Sequence, residues 1–299
     1  MTAARTVLGD VPVAELGTID AHDHLFLRSA LLPGQELDDV AAAIAEARRF
    51  RGEGGATIVQ WTPFGLGRRV DALPEVSRAS GVHIIAATGL HQRAHLGERP
   101  VPDRLADLFT AELTTGIHGG PVRAGMIKVA GGFHGIDDHA RLTMEAAAEA
   151  HHRTGAPIGV HLEHGTAVLD VVGLLCHELR VPPARLVLGH LNRSPDLYPI
   201  RAAADAGAFL AFDGPSRANH ATDWRLFDLL ADVVEHGHAG QVLLGGDTTT
   251  AVARSTCGGP GMPFLLTALR PRLAETLGAD VAAAVFVDNP ARAFGVDWR

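Results

Sequence analysis

Eight short apolar runs recur along the chain, "GTIDAH", "ATIVQW", "VHIIAAT", "AGMIKVA", "PIGVHL", "ARLVLGH", "GAFLAFD" and "QVLLGGD", each followed by a helical pattern. Strands that read as nearly continuous apolar segments and alternate with helices predict a parallel sheet, because each crossover helix covers the sheet it returns to. The helix punctuation is explicit in "DDVAAAIAEARRFRGEGG", where Val40, Ile44 and Ala47 follow aspartates and precede glycines. In "PDRLADLFTAELTTG", Leu105, Leu108, Phe109 and Leu113 form one stripe behind a Pro-Asp start. Further helical segments are expected over 138–154, 166–180, 195–206, 222–237 and 263–277. Eight strand–helix units close into a (β/α)8 TIM barrel of about 250 residues. The 299 residues accommodate one as a single domain, 1–299, with short extensions. An open doubly wound sheet would place a Gly-rich phosphate turn after its first strand, and "HDHLFLRSALLPG" is not one.

Composition narrows the partners. Hydrophobic residues make up 46% and charged residues 20%, enough apolar material for a large core. The formal net charge is -8 and no Lys/Arg run tracks a phosphate backbone, so nucleic acid is not an expected partner. "MTAARTVLGDVPVAELG" lacks a continuous apolar h-region, and no run approaches the roughly 18 to 20 residues of a membrane span. A cytoplasmic chain without membrane attachment is expected. Cys176 and Cys257 suggest neither a disulfide framework nor a cysteine zinc site. Seventeen histidines stand against one tyrosine, so only their placement separates ligands from bystanders.

In a (β/α)8 barrel the chemistry sits at the C-terminal ends of the strands. Those ends carry His22 and His24 on the first strand, Lys128 on the fourth, His161 on the fifth, His190 on the sixth and Asp247 on the eighth. Strand alternation places His22 and His24 on one face with Asp20, and Ala21, Asp23 and Leu25 on the other. Singly, each has an ordinary explanation: a core histidine, a salt-bridged lysine, a helix cap. Jointly they form a set compatible with metal ions. His151, His152, His177, His236 and His238 fall on expected helices or their ends and are read as surface residues.

The order HxH, Lys, His, His, Asp resembles the phosphotriesterase family of the amidohydrolase superfamily, which includes phosphotriesterases and phosphotriesterase-like lactonases. So do "DALPEVSRASGVHIIAATGLH" (71–91), "MIKVA" (126–130), "LGHLNRS" (188–194) and "NPARAFG" (289–295), and the resemblance covers nearly the whole chain. It implies two divalent metal ions, with His22, His24 and Asp247 on the more buried one and His161 and His190 on the other. Lys128 would bridge them as a carbamate, since burial and nearby cations leave a neutral amine that reacts with carbon dioxide. Zinc is the first expectation, although manganese, cobalt and iron accept the same ligands. A bridging hydroxide would then attack, and Asp247 would carry a proton to the leaving group. A homodimer is also implied.

The substrate loops are read from their polarity. "FDGPSRANHATDW" offers Asp213, Arg217 and His220, and "GLHQRAHLGER" offers His91, Arg93 and His95. Arg217 is the preferred contact for an anionic group, because guanidinium pairs with carboxylate or phosphate. Glu163 and His164 stand beside a candidate ligand, and Trp61, Phe64, Phe133 and Trp224 offer an apolar wall. The small-molecule substrate expected is a lactone or carboxyl ester with a polar or anionic group. The rivals are an organophosphate triester, a small N-acyl amide, and a non-catalytic barrel that only binds; the complete ligand set argues against the last.

Overall fold

The computed structural model describes residues 2–214 and 221–298. A short antiparallel hairpin, β1 (Ala3–Thr6) and β2 (Gly9–Pro12), precedes eight strands: β3 (Thr18–Asp23), β4 (Gly55–Gln60), β5 (His83–Gly89), β6 (Met126–Ala130), β7 (Ile158–His161), β8 (Leu186–Gly189), β9 (Phe209–Asp213) and β10 (Val242–Gly245). All eight pair in parallel in sequence order, with helices between them. Each coincides with one of the apolar runs. Asp39 and Asp137 start the helices Val40–Gly52 and Asp138–Thr154 by accepting from Ala42 N and Ala140 N.

The last strand returns to the first. Asp247 N donates to His22 O at 2.9 Å, and a Cβ on Gly245 would lie 2.5 Å from His22 Cβ, so only glycine permits this approach. The register shifts between Asp20 and Asp23, so strict alternation fails there and both carboxylates reach the chain after β10. Asp20 accepts from Gly246 N, and Asp23 accepts from Thr248 N and Thr248 Oγ1. These aspartates stitch the barrel shut beside the two histidines.

Residues alternating along the strands make two apolar layers. Ile19, Ala21, Val59, Trp61, Ile85, Met126, Val187, Ala211 and Leu243 fill the barrel interior. Ile58, Ile84, Ile127, Val160, Leu188, Phe212 and Leu244 face the helices. Ala4, Leu16 and Phe294 join the interior cluster, so the hairpin and the C-terminal segment cover the end where the strands begin. His151 corrects the expectation of a surface residue: it is buried, and its Nδ1 donates to Ala156 O at 2.7 Å. His177 and His236 are exposed as expected. Among the described residues, no helix is long and apolar enough to cross a membrane.

Candidate metal centre

The strand ends converge on a cavity of about 250 Å³ lined by His22, His24, His91, Lys128, His161, His190 and Asp247, with Ser29, His95, Glu163, Thr249 and three leucines. All six residues picked from the strand ends are therefore brought together. His190 (φ 67°) and Asp247 (φ 48°) lie just past their strands in the left-handed region that non-glycine residues seldom adopt. The sharp turn holds each side chain at the rim.

Hydrogen bonds fix which nitrogen of each histidine is free. Asp213 accepts from His22 Nδ1 at 3.1 Å and from His190 Nδ1 at 2.6 Å. Thr62 donates its hydroxyl to Phe26 O, so it accepts from His24 Nδ1 at 2.8 Å. Glu163 accepts from His161 Nε2 at 3.0 Å and is itself held by Gln92. With those protons placed, His22, His24 and His190 present lone pairs on Nε2, and His161 presents one on Nδ1. The Nε2 atoms of His22 and His24 lie 3.7 and 3.4 Å from Asp247 Oδ1. That spacing suits donors sharing one ion with bonds of about 2.0–2.2 Å. His190 Nε2 and His161 Nδ1 face each other at 2.8 Å, where two lone pairs repel unless a cation stands between them. The donor set fits two divalent ions.

The electrostatics agree. Burial pushes Lys128 from 10.5 down to about 7, so its ammonium is costly and its amine accessible. Burial also lowers His22 to about 4, and burial with the neighbouring His190 lowers His161 to about 3, both favouring neutral imidazoles. For Asp213 burial acts to raise the pKa, but His190 and His22 outweigh it and hold the carboxylate well below its usual range. A Cβ on Gly89 would lie 2.0 Å from Lys128 O, so this glycine, at φ 106°, lets β5 end against Lys128.

The loop expectations fare differently. Asp213, read as a lid residue, is wholly buried at the end of β9, where Asn192 pins it by donating to Asp213 O and accepting from Asp213 N. Trp61, expected to touch substrate, is fully buried in the barrel; its Nε1 donates to Ala21 O and its ring packs 4.0 Å from that of His22. His91, read as a substrate contact, is buried with Nδ1 3.0 Å from Lys128 Nζ, while still lining the cavity. Arg93 is exposed and donates to Gly97 O. Phe133 and Trp224 are exposed, at 63% and 74%, and line no part of the cavity. Arg217 and His220 lie outside the described residues. Thr62, Ser29 and Arg193 escaped the sequence reading. Arg193 stands in "LGHLNRS", but nothing in its neighbours marks it as buried.

Comparison with known proteins points the same way. The sequence profile of the phosphotriesterase family matches residues 2–294. A phospho-furanose lactonase of Mycoplasmopsis synoviae is 30% identical over 99% of this chain and 92% of its own. An aryldialkylphosphatase of Saccharolobus solfataricus is 27% identical, covering 94% and 95%. A lactonase crystal structure from Listeria monocytogenes superposes with a TM-score of 0.89 at 27% identity over 98% of both chains. A barrel whose rim gathers these histidines, lysine and aspartate, matched end to end by such relatives, belongs to the phosphotriesterase family, and the protein is a hydrolase.

Proposed function

We propose that the protein is a lactonase that uses two divalent ions, held by His22, His24 and Asp247 on one side and His161 and His190 on the other. The observation that carries this is the convergence of four tautomer-fixed histidine lone pairs and one carboxylate oxygen in a single cavity. Lactone rather than phosphotriester as substrate is supported by the relatives named phospho-furanose lactonase, which are 30% and 34% identical.

Bound divalent ions supply Lewis acidity for the substrate carbonyl and lower the pKa of the attacking water. Lys128 would add a further ligand as its carbamate: its neutral Nζ would form a bond to the carbon of carbon dioxide and release a proton, leaving a carboxylate oxygen pair for the ions. His91 Nδ1, 3.0 Å from Nζ, is within hydrogen-bond reach of the amine, while burial holds the His91 ring well below its usual pKa and so neutral. Asp247 turns Oδ1 to the histidines, leaving Oδ2 to take a proton from water and return it to the leaving alkoxide oxygen. Asp213 keeps the Nδ1 protons of His22 and His190 in place throughout.

Elemental analysis of the active protein should find about two divalent ions per chain, as this reading requires. Turnover should be higher on a panel of five- and six-membered lactones than on paraoxon. One ion or none in an active preparation overturns the binuclear reading. Preference for paraoxon would instead align the chain with its aryldialkylphosphatase relative.

A further inference from the structure

One polar pair in the cavity belongs to none of the metal-ligand contacts. Ser29, in the loop after β3, and His95, in the loop after β5, meet at 2.8 Å between Ser29 Oγ and His95 Nδ1. Both line the cavity. The loops are tied a second time where Ala30 N donates to His95 O at 3.2 Å, so the pair is held by backbone as well as side chains. Around it the wall is apolar: Leu27, Leu32 and Leu66.

The hydrogen-bonding capacity of the pair is determinate. Ser29 Oγ already accepts from Leu31 N at 3.1 Å. If the Ser29 hydroxyl donates to His95 Nδ1, then His95 Nε2–H is left as a donor and one Oγ lone pair as an acceptor. If His95 Nδ1–H donates to Ser29, then Oγ–H is the donor and Nε2 the acceptor. Either way the pair offers one donor and one acceptor. A hydroxyl group uses both, whereas a carboxylate or phosphate oxygen uses only the donor. Burial also lowers His95 from its ordinary imidazole value, which favours the neutral ring over a second proton for an anion. The Glu163 carboxylate lining the same cavity further disfavours an anion there.

We infer that Ser29 and His95 form a hydroxyl-reading subsite that selects lactones carrying a ring hydroxyl over unsubstituted ones. This rests on the lactonase reading for its substrate and on the cavity wall for its chemistry. The metal-side residues treat both substrates alike, because both present the same carbonyl. A hydroxyl against the leucines alone would lose its water partners without replacement, so the Ser29–His95 pair decides whether it is accepted.

The test is the ratio of kcat/KM for 3-hydroxy-γ-butyrolactone to that for γ-butyrolactone, measured with the metal-loaded enzyme. The wild type should favour the hydroxylated ring by about ten- to a hundredfold. Ser29→Ala and His95→Phe should each reduce that ratio at least about tenfold, mainly through KM for the hydroxylated substrate. Ser29→Thr, which keeps the hydroxyl, should restore most of it. A purely structural role lowers both substrates together and leaves the ratio unchanged, which overturns the inference. So does a wild-type ratio near one. If the wild type opens neither lactone, the lactonase reading falls, and calorimetry with the two ring-opened acids reads the subsite separately. Tighter binding of 3,4-dihydroxybutanoate than of 4-hydroxybutanoate, lost in Ser29→Ala, supports it, and equal binding overturns it.

Discussion

Two arginine–carboxylate clusters among the described residues of this barrel are built differently. Arg68 grips Glu112 with both guanidinium arms, at 2.8 and 2.5 Å, and also donates to Ala87 O. Thr88 Oγ1 donates to the same carboxylate at 2.6 Å. Arg193 stands between Asp213 and Asp247 but only at 3.4 Å from each, and its buried Nη1 has no partner among the described residues. The first cluster is satisfied, and it joins β5 to the helix Leu105–Thr114. In the second, the histidines already occupy the carboxylates, so the arginine supplies charge rather than close hydrogen bonds. Satisfied polar clusters rigidify a framework, while strained or incomplete ones mark places where function sets the geometry.

The sharpest way to break this comparison is Arg68→Ala. Removing one partner of a buried ion pair costs on the order of 3–5 kcal/mol, so urea unfolding should show a loss of that size. Turnover per folded, metal-loaded molecule should be retained. A loss below about 1 kcal/mol would mean that solvent or neighbours compensate and that this cluster is no framework.

Asp213→Asn comes next. The amide retains one oxygen acceptor, so one of His22 and His190 meets an N–H donor at Nδ1 and must move its own proton to Nε2. That proton occupies the lone pair meant for the ion. Metal affinity should fall by about ten- to a hundredfold, read by competition with a chromogenic chelator. Unchanged affinity would reduce Asp213 to a packing residue.

Arg193→Ala should then separate the clusters by sign. With contacts as long as 3.4 Å, its stability cost should stay within about 1 kcal/mol. Its effect on kcat should be roughly tenfold, because Asp247 Oδ2 loses the charge that fixes its direction. A large stability loss with unchanged kcat would make the two arginines equivalent and remove the contrast.

The barrel was legible because its strands are apolar on both faces, a pattern that survives without any knowledge of register. "GAFLAFD" and "QVLLGGD" announce β9 and β10 as plainly as the run that forms β3. The residues at the rim followed from one rule about strand ends. What sequence could not convey was depth. Asp213 abuts "GPSRANH" and so reads as loop, yet its burial depends on where β9 ends beside β8 and on Asn192 holding it there. Trp61 directly follows β4 near the rim, but its large ring turns inward to fill the barrel under His22. His151 looks polar on a helix, while its helix face decides that it meets Ala156 O. The β1–β2 hairpin was missed because its four-residue strands carry no periodic signal long enough to read.

The last expected effect concerns Lys128, a buried amine that has no ion-pair partner among the described residues, unlike Arg68 or Arg193. Its pKa is about 7 in the fold against an ordinary 10.5. Between those values the unfolded chain holds a proton that the folded chain has released. The unfolded state therefore binds more protons, and the stability of the metal-free protein rises with pH across that window. Below about 7 both states are protonated, and this contribution becomes flat. His22 and His161 act in a separate, lower window: lowered to about 4 and about 3 in the fold from 6.5, they add stability as pH rises towards 6.5. Chelated protein in carbon-dioxide-free buffer should thus show a Tm increasing from pH 7 to pH 9.5. Lys128→Met should flatten that slope and leave the loss of stability below pH 6.5 intact. A wild-type Tm independent of pH across the upper window would mean that Lys128 keeps its proton. It would then need a buried carboxylate partner of the Arg68–Glu112 kind, and the amine required for a bridging carbamate would not be available.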